Sequence, residues 1–301
     1  MDENITTKYS TIAIIGLPNA GKSTLVNALC RAKVAIVTPK PQTTRFRVSG
    51  IYVEDQTQLV FIDTPGIFKG KHTLDKAMVG AAWQAADDAD QLILVIDVSR
   101  LDLESHEDLW QTLRAINKPV YLVLNKIDLI DLGDLLPLAG KLSQQYDFAK
   151  VFMISAKRDD GIKDIRKHLL GEAKQGPWHF AGDDLSDISA RLLAAEFTRE
   201  QLFLKLEQEI PYGLTVETES FEEFENGSVK ITQSILIERE SHRPIILGKG
   251  GNMIKNIRLG AQQQMQATLN RAVHLFLHVK VRENWKEDPA YYREHGLKFP
   301  Q

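Results

Sequence analysis

The chain has 301 residues, 43% of them hydrophobic and 26% charged, which is typical of a globular protein long enough for two domains. It contains no run of about 18 apolar residues, and this excludes a membrane-spanning helix. The polar start, Met1–Ser10, lacks the apolar and small-residue regions of a signal peptide. Because the single cysteine, Cys30, has no partner for an internal disulfide, we expect a cytoplasmic protein.

The charges are unevenly distributed along the chain. The net charge is −3, yet residues 239–282 carry eight lysines and arginines against one acid. Asymmetry of this kind indicates contact with nucleic acid or with a membrane surface. A solvated basic helix face would give the same pattern, so charge alone does not choose between these interpretations.

Apolar strands alternate with amphipathic helices through residues 1–175. The predicted strands are Thr11–Ile15, Val48–Val53, Leu59–Ile62, Gln91–Ile96, Val120–Leu124 and Val151–Ile154, and the predicted helices are Lys22–Arg31, Leu74–Ala86, Glu104–Ile116, Leu135–Tyr146 and Ile162–Leu170. This alternation predicts an α/β domain with a mostly parallel six-stranded sheet and helices on both faces. Ligands of such sheets bind at the carboxyl ends of the strands.

A phosphate-binding pattern follows the first predicted strand. The sequence GLPNAGKS at residues 16–23 fits G-x-x-x-x-G-K-[ST]. In this pattern backbone N–H groups surround the phosphates, and the N-terminus of the following helix favours negative charge. Lys22 would neutralise the β- and γ-phosphates, and the Ser23 hydroxyl would bind Mg²⁺. The predicted phosphate-binding residues are Gly16, Leu17, Pro18, Asn19, Ala20, Gly21, Lys22, Ser23 and Thr24.

An acidic turn follows the strand Leu59–Ile62. Asp63 would hold Mg²⁺ through water, and the N–H of Gly66 would meet the γ-phosphate. The motif is weak by itself, because turns of acid, proline and glycine are common in loops. With their neighbours, the predicted site residues here are Asp63, Thr64, Pro65, Gly66 and Ile67.

Two further motifs follow later strands and indicate guanine recognition. The Asp128 carboxylate would accept hydrogen bonds from guanine N1 and N2, which adenine does not offer. Asn125 would bind another edge of the base and also the loop, and the Lys126 stem would pack on the base. A backbone N–H after Val151–Ile154 would reach guanine O6; that motif means little alone, but its order after the others supports it. The predicted base-binding residues are Asn125, Lys126, Asp128, Ser155, Ala156 and Lys157.

The segment Val34–Arg47 has neither helical nor strand periodicity. Loops longer than about 12 residues are usually functional or disordered, and this one lies between two nucleotide motifs. We interpret it as a switch in which Thr44 binds Mg²⁺ in the GTP state, with Thr43 as the alternative.

A second domain is predicted after a linker at residues 176–186, over residues 187–301. A helix and two strands precede Ile245–Gly251, and a helix and the strand Val273–Val281 follow it. This order matches a type II KH module, in which a G-x-x-G loop clamps the backbone of single-stranded RNA. The predicted RNA-binding residues are Arg243, Gly248, Lys249, Gly250, Gly251, Lys255 and Arg258.

The motif set resembles the translation-factor-related GTPases. Asn19, Thr43-Thr44-Arg45 and the Asp63–Gly66 turn are similar to the branch that contains Era and the tRNA-modifying GTPases. Where Ras-like enzymes place a water-orienting glutamine, this chain has Ile67. The resemblance therefore implies a glutamine-independent GTPase in which backbone, Mg²⁺ and K⁺ perform that task, with Asn19 at the K⁺ position. Stabilising the loop internally is the alternative role for Asn19.

A GTPase domain followed by one KH module resembles the Era family from Ser10 to Trp285. The resemblance implies binding of single-stranded RNA near the 3′ end of small-subunit ribosomal RNA. It further implies a part in 16S rRNA processing and in assembly of the small (30S) ribosomal subunit. The family often has basic residues in the second KH helix, where this chain reads Gln262-Gln263-Gln264.

Two other classes of function stay open at this stage. One is a membrane-associated signalling GTPase, peripheral on the inner face of the cell membrane, whose KH-like module binds protein or lipid headgroups. The other is a non-hydrolysing nucleotide-gated scaffold, which Ile67 leaves possible. We expect a monomer in each case.

Overall fold

The computed structural model of the protein describes residues 6–102 and 106–300. The chain divides into two compact units. The first comprises the described residues up to Ala35, residues 44–187 and the residues from Gly296 onward. The second comprises residues 36–43 and 188–295. A short piece of the predicted switch therefore belongs to the second unit.

A twisted sheet forms the centre of the first unit. Its strands are β1 (Lys8–Ile15), β2 (Val48–Glu54), β3 (Thr57–Asp63), β4 (Gln91–Asp97), β5 (Val120–Asn125), β6 (Lys150–Ile154) and β7 (Lys174–Gln175). The order is β2-β3-β1-β4-β5-β6, and all neighbours are parallel except β2 with β3. The predicted mostly parallel sheet is confirmed. The prediction of six strands is one too few, because β7 also pairs with β1, in antiparallel orientation. The two residues of β7 have no apolar pattern from which a strand could be predicted.

Helices cover both faces of this sheet. They are α1 (Lys22–Cys30), α2 (Thr73–Asp88), α3 (Glu107–Leu113), α4 (Leu132–Ser143) and α5 (Ile162–Glu172). Alternate residues of β1 enter different cores, because successive side chains of a strand point to opposite faces. Ile12 and Ile14 pack in the core that contains Leu25 and Ile165, while Ala13 and Ile15 lie in the opposite core. The predicted helix start at Glu104 lies outside the described residues.

The predicted linker packs against the first unit. Trp178 donates its indole N–H to the carbonyl of Lys8, 3.1 Å away. The buried Gln58 side chain accepts hydrogen bonds from the backbone of His179 and Phe180. Farther along, the Ile51 N–H donates to the carbonyl of Leu185 at 2.9 Å. Backbone groups of the predicted linker 176–186 thus find partners along β2 and β3.

The second unit has helices on one sheet of three strands. Its elements are α6 (Ala190–Lys205), β8 (Leu214–Glu223), β9 (Val229–Ile237), α7 (Arg243–Leu247), α8 (Asn252–Leu269), β10 (Val273–Val281) and α9 (Pro289–Glu294). The strand β9 lies centrally, antiparallel to β8 and parallel to β10. Ala195, Leu202, Ile235 and Ile257 share its main core. This arrangement confirms the predicted KH order. No helix within residues 6–102 and 106–300 is long and apolar enough to cross a membrane.

Candidate functional site

Glycine is required in the phosphate-binding loop by close backbone contacts. Gly16 and Gly21 have φ angles of 146° and 96°, which residues with a Cβ rarely adopt. A Cβ on Gly16 would lie 2.4 Å from the Val95 carbonyl oxygen, and one on Gly66 would lie 2.8 Å from the Pro18 ring. The loop and the Asp63–Gly66 turn therefore approach one another too closely for larger residues.

Lys22 is a buried cation in this loop. Its ammonium donates to the carbonyl oxygens of Gly16 and Leu17, at 3.2 and 3.1 Å. Burial lowers the pKa of Lys22 to about 8, and the nearby Asp63 charge only partly opposes this shift. A buried cation with neutral carbonyl partners is well suited to an anionic ligand, because phosphate oxygens would supply the charge that the protein does not.

Three oxygen atoms from separate motifs meet beside Lys22. The hydroxyls of Ser23 and Thr44 both donate to Asp63 Oδ2, at 2.7 and 3.1 Å, and lie 2.8 Å from each other. The other carboxylate oxygen, Oδ1, is buried without a hydrogen-bond partner among the described residues. Burial raises the pKa of Asp63. The hydrogen bond from Ser23 and the charge of Lys22 act in the opposite direction but do not cancel this effect. Hard oxygen donors with one unsatisfied carboxylate atom fit Mg²⁺.

The two candidate threonines of the switch have different surroundings. Thr43 Oγ1 lies 2.6 Å from Thr38 Oγ1 and donates to the Lys40 carbonyl at 2.8 Å. Thr44 Oγ1 is the one that meets Ser23 and Asp63. The geometry therefore favours Thr44 over Thr43 as the metal-binding hydroxyl.

The Asn125 side chain joins three loops. Its Nδ2 donates to the Ala20 carbonyl at 2.9 Å. Its Oδ1 accepts from the backbone N–H groups of Lys126 and Ala156, at 2.8 and 3.0 Å. The sequence predicted that Asn125 binds both a base edge and the loop. These bonds are contacts with the loops, and they use its carbonyl oxygen and one amide hydrogen. Its main structural effect is to hold the phosphate loop and both base-recognition loops together.

Lys126 and Asp128 have charged partners that the sequence did not reveal. The Lys126 ammonium donates to the Asn19 carbonyl at 2.8 Å and lies 2.5 Å from Asp97 Oδ2. Asp97 is the last residue of β4. Its position at the carboxyl end of a strand is the sequence feature that could have identified it as a site residue. The neighbouring Ser155 hydroxyl, aided by the charge of Arg158 at 3.4 Å, lowers the pKa of Asp128. Asp128 is thus ionised at neutral pH and ready to accept hydrogen bonds.

The remaining predicted nucleotide residues occupy varied positions. Ile67 is 7% exposed in the core, and its N–H donates to the Gly16 carbonyl at 3.0 Å. Thr64 is buried and donates to the Ile14 carbonyl at 2.6 Å. The exposed Asn19 has a φ of 64°, and Lys157 is exposed after β6. Thr24 lies in α1 and Pro65 is buried in the acidic turn.

The glycine loop of the second unit lies between α7 and α8. Gly248, Gly250 and Gly251 have φ angles of 70°, 61° and 77°. A Cβ on Gly248 would come within 2.6 Å of the Met253 Cβ, whereas Gly250 and Gly251 face open space. The loop thus presents bare backbone, which suits close approach of a phosphate.

Charged and apolar side chains surround this loop. Lys249 and Lys255 are exposed, and Arg243 pairs with Glu240 at 2.7 Å. Three large apolar side chains on the flanking helices were not predicted as site residues. They are Ile245, Leu247 and Leu259, exposed by 47%, 37% and 46%. Their exposure beside a charged loop is the feature that indicates base contacts.

The glutamine run in α8 has internal partners. Arg258 donates to Gln262 Oε1 at 2.9 Å. Gln264 donates to Glu200 and accepts from Gln201 on α6. Gln262 therefore fixes Arg258, and Gln264 connects α8 to α6, so both glutamines have a structural role.

The fold and the site define a phosphate-loop GTPase with a KH domain. The sequence pattern described as 50S ribosome-binding GTPase matches residues 11–126, and the KH domain pattern matches residues 209–286. GTPase Era of Brucella suis biovar 1 (strain 1330) is 49% identical over 98% of this chain and 94% of its own length. GTPase Era of Rhizobium meliloti (strain 1021) is 48% identical over 99% and 95%.

Solved structures agree with these sequence matches. Era in complex with MgGDPNP and nucleotides 1506–1542 of 16S ribosomal RNA has a TM-score of 0.91 and 34% identity, covering 96% of this chain and 99% of that one. An Aquifex aeolicus Era variant bound to GDP·AlF4− has the same TM-score, identity and coverage. The chain belongs to the Era family of GTPases. It binds guanine nucleotide and hydrolyses GTP, as the sequence motifs predicted.

Proposed function

We propose that this protein hydrolyses Mg²⁺-bound GTP and binds single-stranded RNA near the 3′ end of the small-subunit ribosomal RNA during subunit assembly. The observation that carries the proposal is one chain with both a guanine-nucleotide site and a bare glycine loop beside exposed cations. A relative of 34% identity binds both MgGDPNP and nucleotides 1506–1542 of 16S rRNA.

Within the nucleotide site, each predicted residue receives a role. Ser23, Thr44 and Asp63 would hold Mg²⁺, which supplies neutralisation of charge on the phosphate oxygens. Lys22 holds a positive charge beside the same phosphates, and Asp128 accepts hydrogen bonds from guanine. The buried Ile67 cannot orient water, so the N–H of Gly66 and a K⁺ ion beside Asn19 are proposed for that task.

In the second unit, RNA backbone would lie along the glycine loop. Gly248, Gly250 and Gly251 allow its approach, while Lys249, Lys255, Arg258 and Arg243 supply charge. The exposed side chains of Ile245, Leu247 and Leu259 would contact bases, because apolar groups pack against base faces without selecting sequence.

Crosslinking followed by sequencing tests the RNA assignment. RNA bound in cells to the wild-type protein should be enriched for the 3′ end of small-subunit rRNA, and a Lys249→Ala, Lys255→Ala double variant should lose that enrichment. Equal enrichment along the whole rRNA in both proteins would contradict the proposal. The membrane-associated alternative predicts instead that the protein co-sediments with anionic vesicles. We propose that the protein is cytoplasmic and monomeric, and sedimentation velocity tests the monomeric state.

A further inference from the structure

Helix α6 of the second unit is buried on all sides over ten consecutive residues, 194–203. A surface helix normally buries one apolar stripe and leaves its charged residues in water. Three charged residues of α6 are instead almost fully covered: Glu196, Arg199 and Glu200 are exposed by 7%, 1% and 2%. Buried charges are costly without partners, so what they contact is informative.

Two of these charges bind the backbone of residues 36–43. Arg199 donates to the carbonyl of Thr43 at 2.5 Å, and Glu200 accepts the N–H of Val37 at 2.7 Å. Ile36 is 3% exposed and packs in the core with Phe197. The segment is therefore fixed to α6 near both ends.

A third contact joins a side chain of the segment to the backbone of the helix. The Lys40 ammonium donates to the carbonyls of Phe203 and Leu206, the latter at 2.6 Å. The last carbonyls of a helix lack intrahelical donors and carry partial negative charge, so they favour a cation. Lys40 thus caps α6 and ties the middle of the segment to it.

Arg199 itself has little freedom to move. Its Nε donates to Glu196 Oε1 at 2.7 Å, its Nη2 pairs with the same carboxylate, and its guanidinium lies 5.3 Å from the Phe203 ring centroid. A rigid guanidinium fixes the carbonyl that it binds. Thr43 is followed directly by Thr44, whose Cα must lie about 3.8 Å from that of Thr43.

We infer that Arg199, Glu200 and Lys40 are positioning residues for Thr44, so that α6 determines where the switch can place its metal-binding hydroxyl. The inference rests on the proposed role of Thr44 as a Mg²⁺ ligand. The effect of the three residues passes through the backbone of residues 36–43, which Arg199 and Glu200 bind and to which Lys40 belongs. Loss of these bonds should weaken steps that need Mg²⁺ and GTP together, and should spare GDP binding, which does not need Thr44.

The test uses the full chain and measures single-turnover GTP hydrolysis against Mg²⁺ concentration. We expect Lys40→Met to raise the half-maximal Mg²⁺ concentration about tenfold, the usual effect of losing a charge-assisted hydrogen bond. Lys40→Arg, which keeps a donor, should restore it. The matched control is Arg191→Met on the same helix, because the Arg191 guanidinium donates to the carbonyls of Thr218 and Glu219 on β8 instead of residues 36–43.

Further variants separate the possible failures. Arg199→Lys should give a similar rise while GDP affinity in EDTA stays within twofold of wild type, which shows that the fold is intact. Thr44→Ala should itself raise the Mg²⁺ requirement; if it does not, the proposed metal role fails and the inference falls with it. If Thr44→Ala shows the rise and neither Lys40→Met nor Arg199→Lys does, the positioning role alone is overturned.

Discussion

The side-chain amide of Asn125 donates to the backbone carbonyl of Ala20, 2.9 Å away and 105 residues earlier in the sequence. Through its other atoms the same residue also holds the N–H of Ala156. The phosphate-binding loop and the guanine-recognition loops are thus cross-linked through one buried side chain. Disturbing it should affect folding as well as nucleotide binding.

Replacing Asn125 with alanine should destabilise the first unit. The change leaves the Ala20 carbonyl and the N–H groups of Lys126 and Ala156 without their partner, and buried unsatisfied groups cost about 1–3 kcal/mol each. Since the bonds to Ala20 and Ala156 are buried and the bond to Lys126 is only partly buried, we expect the free energy of unfolding in urea to fall by about 2–6 kcal/mol. Asn117→Ala, at an exposed asparagine before β5, serves as control; an equal loss there would contradict the assignment.

Changing Asp128 to asparagine should switch base preference. An asparagine side chain at this position would donate to O2 of xanthine, whereas the carboxylate accepts from the N2 amino group of guanine. We expect GTP affinity to fall about tenfold or more and xanthosine triphosphate affinity to rise, measured by equilibrium binding of both nucleotides. A variant with unaltered GTP affinity would show that Asp128 does not read the base.

The pKa of Lys22 makes nucleotide affinity depend on pH. Below about pH 7 the lysine is charged whether or not nucleotide is bound, so affinity should be level. As pH rises through about 8, Lys22 loses its proton in the free protein, whereas bound phosphates favour the protonated lysine. GTP affinity should therefore decrease, by at most about tenfold per pH unit.

The measurement compares wild type with Lys22→Met from pH 6.5 to 9.5. Titration of the nucleotide itself is common to both proteins, so the difference between the two curves isolates the lysine. Parallel curves for the two proteins would refute the prediction, because a charged Lys22 in both states contributes no pH dependence.

Hydrolysis should be faster in K⁺ than in Na⁺ if a cation bound at Asn19 replaces the missing glutamine. Single-turnover rates in the two salts at equal ionic strength give the comparison. Asn19→Ala should remove most of the difference and leave GDP affinity nearly unchanged. Equal rates in both salts for the wild type would discard K⁺ while leaving the GTPase activity intact.

A negative side chain in the glycine loop should abolish RNA binding. Gly250→Asp places a carboxylate where phosphate would approach, and Gly250 has a φ of 61° with open space at its Cβ position. Gly227→Asp is the matched control, since Gly227 has a φ of 78° and equally open surroundings at the hairpin before β9. We expect at least about a tenfold loss for the first variant alone.

Binding of a single-stranded RNA with the 3′-terminal small-subunit sequence, measured at two salt concentrations, completes this test. The wild type should lose affinity steeply with added salt, because phosphate contacts release counterions. Equal RNA affinities for the two glycine variants would exclude the loop as the binding surface.

The sequence by itself determined the nucleotide motifs, their order at strand ends and the KH arrangement. These features depend on short-range rules: glycines at positive φ, a lysine and a hydroxyl at the start of a helix, and apolar periods that define strands and helices. Each rule acts within a few residues, so the order of amino acids along the chain is sufficient to predict α1 after β1 and the glycine loop before α8.

Tertiary structure alone decided the partners of particular side chains. Arg199 reaches Thr43 across 156 residues, and Asp97 reaches Lys126 from the end of a neighbouring strand. Likewise, the predicted linker at 176–186 packs along the first sheet because Gln58 forms hydrogen bonds with it. Such contacts depend on which surfaces the packed elements bring together, and that depends on the whole chain rather than on any local pattern.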